Sequence, residues 1–414
     1  MRAIYIMYIY RDLNKYKCIY LIGMLIRSII SFRKAQISMV DQRLPKSIPF
    51  LSFRAGAYIG SKFYLPFIHD ALLCYVYDLN EYVWSSHKLN LMGIQHLTPQ
   101  VTSSAVIGDK IYLVCGRLLH SYVLSNGLIE IDTTNFNTRL IESAEGLPPR
   151  PRHEHSVDAI LNRYLVVFGG LCYNSVGEND VFVYDTLEDR WFVPPITGHI
   201  PHLRFGHSSA VIGTDLYVHG GAQIDDTSYI VYDDLHKLDC ATWTWYKYEH
   251  PEVERYLRHQ NRSEEVPART QRNFLIATSG DSPYDRFQSC MCAYGSKIII
   301  LGGHSIREDE DENEMLCSYP VDELSVFNIR KCLWTTIRAS TATHQSISYG
   351  ALARREDENG EHMEDTITLT DMSVAAVSLD SRGLRIFIYI IPEFKRMPSS
   401  SLTSSYFRHY IAKT

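Results

Sequence analysis

The sequence predicts an all-β fold built from repeated units, and three observations predict it. A pattern G-x-x-P-x-x-R-x-x-[HS]-[SC] occurs three times in register: Gly146, Pro149, Arg152 and His155-Ser156; Gly198, Pro201, Arg204 and His207-Ser208; Gly280, Pro283, Arg286 and Ser289-Cys290. Short apolar runs end in the diglycines Gly169-Gly170, Gly220-Gly221 and Gly302-Gly303, with a weaker Cys115-Gly116. An Asp or Asn is followed six residues later by Trp at Asp78/Trp84, Asp185/Trp191, Asp239/Trp245 and Asn328/Trp334, so four of the five tryptophans hold one repeat position. Independent features that recur in phase mark a repeat architecture.

Within each unit, runs rich in Val, Ile, Tyr and Phe alternate with Gly, Asp, Asn and Pro, the signature of short antiparallel strands at regular spacing. HSSAVIGTDLYVHGG, residues 207–221, is the clearest pair, and SSAVIGDKIYLVCG, 103–116, matches it closely. A glycine pair at a strand end admits positive φ and close approach of a neighbouring backbone, and the Trp supplies a large apolar body to wedge between adjacent sheets.

Taken together, Gly-Gly at the end of an apolar strand and the downstream aromatic or apolar position before Trp resemble the kelch repeat, in good register over roughly residues 50–335. The resemblance implies a kelch-type β-propeller of about six four-stranded blades. A radial array of this kind leaves few strand edges exposed.

Taken in order, residues 1–38 do not look like the repeats and are expected to stand outside them as an N-terminal extension. Their longest apolar run, Cys18 to Ile26, is shorter than the ~20 residues a spanning helix needs. The propeller is expected over 39–391, with blades near 50–88, 100–142, 152–196, 204–248, 286–338 and 344–391. Between the fourth and fifth lies a polar, charged insertion, 249–283, and a tail runs from 392 to 414. The last unit has lost the signature, so how the ring closes is not readable from the repeats.

Length and composition bound the function. A chain of 414 residues, 45% hydrophobic, buries a large core, and a net charge of −6 offers no basic footprint for nucleic acid. The runs 308–314 and 356–365 hold six carboxylates each, so the remainder carries −6 + 12 = +6. These loops lack the ligand spacing of a calcium cage and read as solvated. Nine scattered cysteines without a CxxC pair fit reduced thiols of a cytoplasmic protein. Cys290 and Cys292 share one strand face and read as packing residues.

No phosphate loop, nucleophile elbow or HExxH motif is present, and neither catalytic residues, metal nor cofactor are expected. His153 and His155 lie two apart, but His155 and His207 hold one repeat position, and a residue repeated in each unit serves the unit. The expectation is a non-enzymatic interaction module or scaffold in signalling or cell-polarity pathways, with no nucleic-acid or membrane partner. The repeat symmetry places Arg152, Arg204 and Arg286 around one mouth of the central channel. Guanidinium forks there suit the carboxylates and carbonyls of an acidic peptide. Resemblance to kelch adaptors that bind acidic motifs through such arginines implies the same role. The alternative for the arginines is hydrogen bonding to loop carbonyls between neighbouring blades. The alternative for the whole molecule is a propeller enzyme with a metal or small-molecule site at the channel mouth, since some kelch-type propellers are copper oxidases.

Overall fold

The computed structural model describes most of residues 56–338, the stretches 251–270 and 309–313 being the main exceptions; beyond it, only the backbone of strands within 4–40 and 350–393 is described. The described residues are almost entirely strand, in successive four-stranded antiparallel sheets ordered as the chain runs. Unit one comprises Ala57–Ile59, Lys62–Pro66, Leu73–Asp78 and Val83–Lys88. Unit two comprises Ser103–Ile107, Lys110–Leu118, Leu124–Asp132 and Asn137–Leu140. Unit three comprises Ser156–Ile160, Tyr164–Phe168, Val181–Asp185 and Arg190–Phe192. Unit four comprises Ser208–Ile212, Asp215–His219, Leu235–Asp239 and Thr244–Glu249, and unit five Cys290–Tyr294, Lys297–Leu301, Glu323–Asn328 and Leu333–Arg338. This is the all-β, kelch-type propeller that the repeats predict.

The first strands of consecutive units lie side by side, from Ala57–Ile59 through to Cys290–Tyr294. The core is therefore a series of layers between sheets. Between units three and four, Phe168, Val166 and Val183 meet Leu216, Val218 and Trp245. Between units four and five, Ala210, Tyr217 and Leu235 meet Met291, Ile298 and Trp334. Trp191, Trp245 and Trp334 are buried in these layers, which accounts for the repeated tryptophan; the side chain of Trp84 lies outside the described residues.

The first glycine of the repeat has its own reason. The chain entering a unit runs parallel to that unit's fourth strand, Thr197 opposite Thr244 and Gly198 opposite Trp245. At Gly198, with φ +88°, a Cβ would stand 2.2 Å from the Trp245 carbonyl oxygen, so no other residue allows this approach. The same entry occurs at Glu145, bridged to Arg190, and at Ser279, bridged to Leu333.

Two segments add strands outside the repeat signature. The insertion 249–283 returns as a 3-10 turn, Gln271–Phe274, and a strand, Leu275–Ala277, parallel to Lys247–Glu249. Its Leu275-Ile276 pair is the apolar exception in a polar stretch. At the N-terminus, Ile19–Arg27 and Gln36–Val40 become the two outer strands of a sheet whose inner strands are Thr370–Asp380 and Gly383–Glu393. These strands fall largely within residues 1–38, which carry none of the repeat signature. A long hairpin at 370–393 has two edges of unpaired backbone groups, and the N-terminal strands pair both. Ile4–Met7 also pairs with Gly350–Ala353, and these strands abut Ala57–Ile59 and Cys290–Tyr294, so they close the circle of first strands.

Candidate interaction face and the latches beneath it

The repeat arginines share one geometry. The Arg204 side chain is fully buried; its Nε donates to His202 O at 3.1 Å and Nη1 to Gly220 O at 2.8 Å. Its fork grips Asp234, Nη1 to Oδ1 at 2.7 Å and Nη2 to Oδ2 at 2.9 Å. Arg152 does the same with Arg150 O, Gly169 O and both oxygens of Asp180. Arg286 donates to Tyr284 O and Gly302 O and lies 4.2 Å from the Tyr319 ring centroid. The carbonyl to which each Nη1 donates within its own unit belongs to the first residue of the diglycine.

The arginine backbone in turn joins units. Gly170 N donates to Arg204 O at 2.9 Å, and Gly221 N to Arg286 O at 2.8 Å, so each diglycine hydrogen-bonds the arginine of the following unit. At Gly220, with φ +63°, a Cβ would sit 2.2 Å from Arg286 O. Arginine, diglycine and acid therefore form a latch: side-chain bonds within a unit and a backbone bond to the next.

The expectation that Arg152, Arg204 and Arg286 hold an acidic peptide does not fit this geometry. Their exposures are 0, 0 and 3%, and their forks are spent on the fold. Burial opposes charge on these groups, so pairing with an acid is what keeps the Arg152 and Arg204 cations inside, whereas Arg286 has the Tyr319 ring. The sequence reasoning missed that acid, the residue just before the third strand, Asp180 in unit three and Asp234 in unit four; Glu323, at the corresponding point of unit five, bears on Arg286 only through its charge. Its repetition with the arginine was the available signal, hidden because the spacing between them varies. Burial raises the Asp234 carboxyl, but the Arg204 charge beside it overrides this and holds it well below the usual carboxylate range. Arg286 goes the other way: burial lowers its pKa, against the favourable charges of Tyr319, Glu323 and Asp285.

The repeated His-Ser pair also joins units. Ser103 Oγ donates to His155 O at 2.5 Å, the His207 ring Nε2 meets Ser156 Oγ at 3.0 Å, and Ser208 Oγ meets Ser289 Oγ at 3.1 Å. The His155 ring meets Val114 O at 3.0 Å. These histidines bridge to the neighbouring unit, His207 to its first strand and His155 to its second, and among the described residues no group of three or more His, Cys, Asp and Glu is arranged to hold a metal ion. Two residues beyond each arginine the backbone turns to positive φ, at Glu154, Gly206 and Gln288. Gly206 N donates to Glu154 O and Gln288 N to Gly206 O, while Gln288 Nε2 reaches Glu154 Oε1 at 3.3 Å. The side chains that meet between units three and five, two residues beyond the arginines, are thus a carboxylate and a carboxamide.

Over the latches the loops between second and third strands form a face. Ala222–Asp225 and Ser228–Val231 make one hairpin, and His304–Glu308 with Glu314–Ser318 another. Each is bonded to the chain just after its own arginine, Phe205 to Ala222 and Phe287 to His304. Phe205 and Phe287 lie buried beneath, and Tyr229 spans them, 6.1 Å edge-on to the first and 6.3 Å stacked on the second. Tyr229 and Ile230 remain 40 and 43% exposed. Ile224 N donates to Val176 O, tying the hairpin to the loop of unit three.

The KLHDC2/KLHL20/DRC7 Kelch-repeats domain family matches residues 69–264. The chain is similar to Kelch domain-containing protein 3 of Bos taurus, 26% identical over 244 residues, covering 57% of this chain and 55% of that protein. It is similar to Kelch domain-containing protein 1 of Mus musculus, 28% identical over 333 residues, 73% of this chain and 70% of the relative. Host cell factor of Drosophila melanogaster is 28% identical over 187 residues, 45% of this chain and 10% of the relative. The chain thus spans about half the length of the Kelch domain-containing protein 3 it matches.

Proposed function

Because this chain is a kelch-repeat protein, we propose that it is a non-enzymatic interaction module or scaffold, in signalling or cell-polarity pathways of the cytoplasm, binding a protein or peptide at the face built by the 171–178, 222–231 and 304–318 loops. The observation that carries this reading is the exposed pair Tyr229 and Ile230 on a hairpin anchored over buried Phe205 and Phe287. An aromatic with few rotatable bonds on a braced hairpin presents apolar area at little entropic cost, as binding hot spots do. The partner chemistry that suits this face is an apolar or aromatic anchor with polar groups around it. The acidic-peptide expectation rested on three arginines whose forks are turned into the fold.

The test is to identify the partners of the full chain by affinity purification and measure their affinity for the Tyr229→Ala, Ile230→Ala double variant. Truncation of two anchors is expected to cost about 2 kcal/mol or more, roughly a thirtyfold loss, with the melting temperature close to wild type. Retention of the full partner set at unchanged affinity would place the binding surface elsewhere.

A further inference from the structure

The turn between first and second strands is built alike in four units and differently in one. Gly60, Gly108, Gly213 and Gly295 open two-residue turns with φ between +51° and +64°. At all four a Cβ would meet nothing within 4 Å. In unit three the turn is one residue longer, Ile160 pairing with Tyr164, and its first residue is Leu161 at φ +56°. Leucine rarely adopts this conformation, and this residue is 66% exposed.

The neighbouring turn of the same unit, between its third and fourth strands, departs in the same direction. Its second residue donates its N–H to the Asp or Asn that starts the turn, and elsewhere it is Thr134, Ala241 or Arg330. In unit three it is Leu187, 74% exposed. The two turns are joined rigidly: Thr186 N and Oγ1 both donate to Arg163 O, and the Arg163 fork grips Asp185. Isolated exposed leucines need no explanation. Two in adjacent turns of one unit, one of them strained, at positions that are small or polar in the described sister units, do.

We propose that these turns form a second docking surface, at the end of unit three opposite its arginine latch, and that its occupant is a protein presenting an apolar pocket with a basic rim. Turn tips this exposed are convex and need a concave partner. Arg163 and Arg190 pair there with Asp185 and Glu188, and Asp189, which Arg139 faces, is joined through its backbone to Glu145: three guanidiniums against four carboxylates, a local balance of −1. That charge repels anionic lipid headgroups and nucleic acid and complements lysine or arginine on the partner. With the hairpin face at the other end of the strands, the molecule would hold two partners at once.

The test uses the full chain with a photo-reactive phenylalanine analogue in place of Glu188. The protein cross-linked to it in cells is identified by mass spectrometry, purified, and its Kd measured against wild type, Leu161→Gly, Leu161→Asn and Leu187→Ala. Each substitution is expected to weaken binding at least tenfold, while Leu161→Gly and Leu161→Asn melt no lower than wild type because both residues accept positive φ. The Tyr229→Ala, Ile230→Ala variant is expected to bind this partner normally, which separates failure of this surface from failure of the hairpin face. Absence of a cross-linked protein, cross-links only to a second copy, flotation with phosphatidylserine vesicles that depends on the two leucines, or an unchanged Kd in the leucine variants would each overturn the proposal.

Discussion

His219 shows what burial does to one residue. It ends the second strand of unit four with no exposed surface, its ring facing the Asp233 backbone. Its ring lies edge-on to Trp334, 6.1 Å between centroids. Burial, with the Arg286 charge adding to it, lowers its pKa to about 3 from an ordinary 6.5. The unfolded chain therefore takes up a proton below about pH 6.5 that the folded chain refuses until near pH 3, and stability falls as pH falls through that window. At pH 5 the loss from this residue is on the order of 2 kcal/mol relative to pH 7.5. Urea unfolding of wild type and His219→Phe across pH 4.5–7.5 checks it, since the variant should show a shallower decline.

At the scale of elements, the latch is the joint that matters. Arg204 holds the end of one strand through Gly220 O and the start of another through Asp234, and its own carbonyl accepts from Gly170 of the preceding unit. Arg204→Ala strands a buried carboxylate and a carbonyl together and is expected to cost about 3–5 kcal/mol. Arg204→Lys keeps the charge but loses the planar fork and should fall between Ala and wild type. Denaturant titration gives these values. A partner identified for the hairpin face should bind the folded fraction of Arg204→Lys with wild-type affinity, because the guanidinium does not reach the surface. Weakened binding by the folded protein would restore the arginines as a contact site.

At the scale of the molecule, a ring of sheets is stable only when its two chain ends meet. Here Ile19–Arg27 and Gln36–Val40 flank the 370–393 hairpin, and Ile4–Met7 pairs with Gly350–Ala353. A chain starting at residue 41 leaves those edges unpaired, and exposed edges template association. The expected outcome is a lower melting temperature and more oligomer or aggregate in sedimentation than the full chain shows. A shortened chain as soluble and as stable as the full one would show that the N-terminal strands are dispensable.

The repeats made the strands, their order and the burial of the tryptophans legible, because Gly-Gly, Trp and the turn glycines answer to local geometry that recurs at fixed intervals. Val166, Val218 and Ile300 alternate as strand residues whatever their neighbours, and Gly198 and Gly220 stand where only glycine fits. The arginines were legible as a repeat position but not as a role. Whether a guanidinium faces solvent or an inward carboxylate depends on where Asp180 and Asp234 fall, 28 and 30 residues later across loops of unequal length. The strand pairing of 19–40 with 370–393 was likewise beyond reach, since pairing over such separation leaves no periodic trace in either segment. The sequence alone thus determined a kelch-type all-β ring with its blade signature. Only the tertiary structure decided that the signature arginines are spent on holding it together and that the exposed apolar residues, Tyr229 and Ile230 at one end and Leu161 and Leu187 at the other, are free to meet something else, because exposure is a property of packing between units and not of any one repeat.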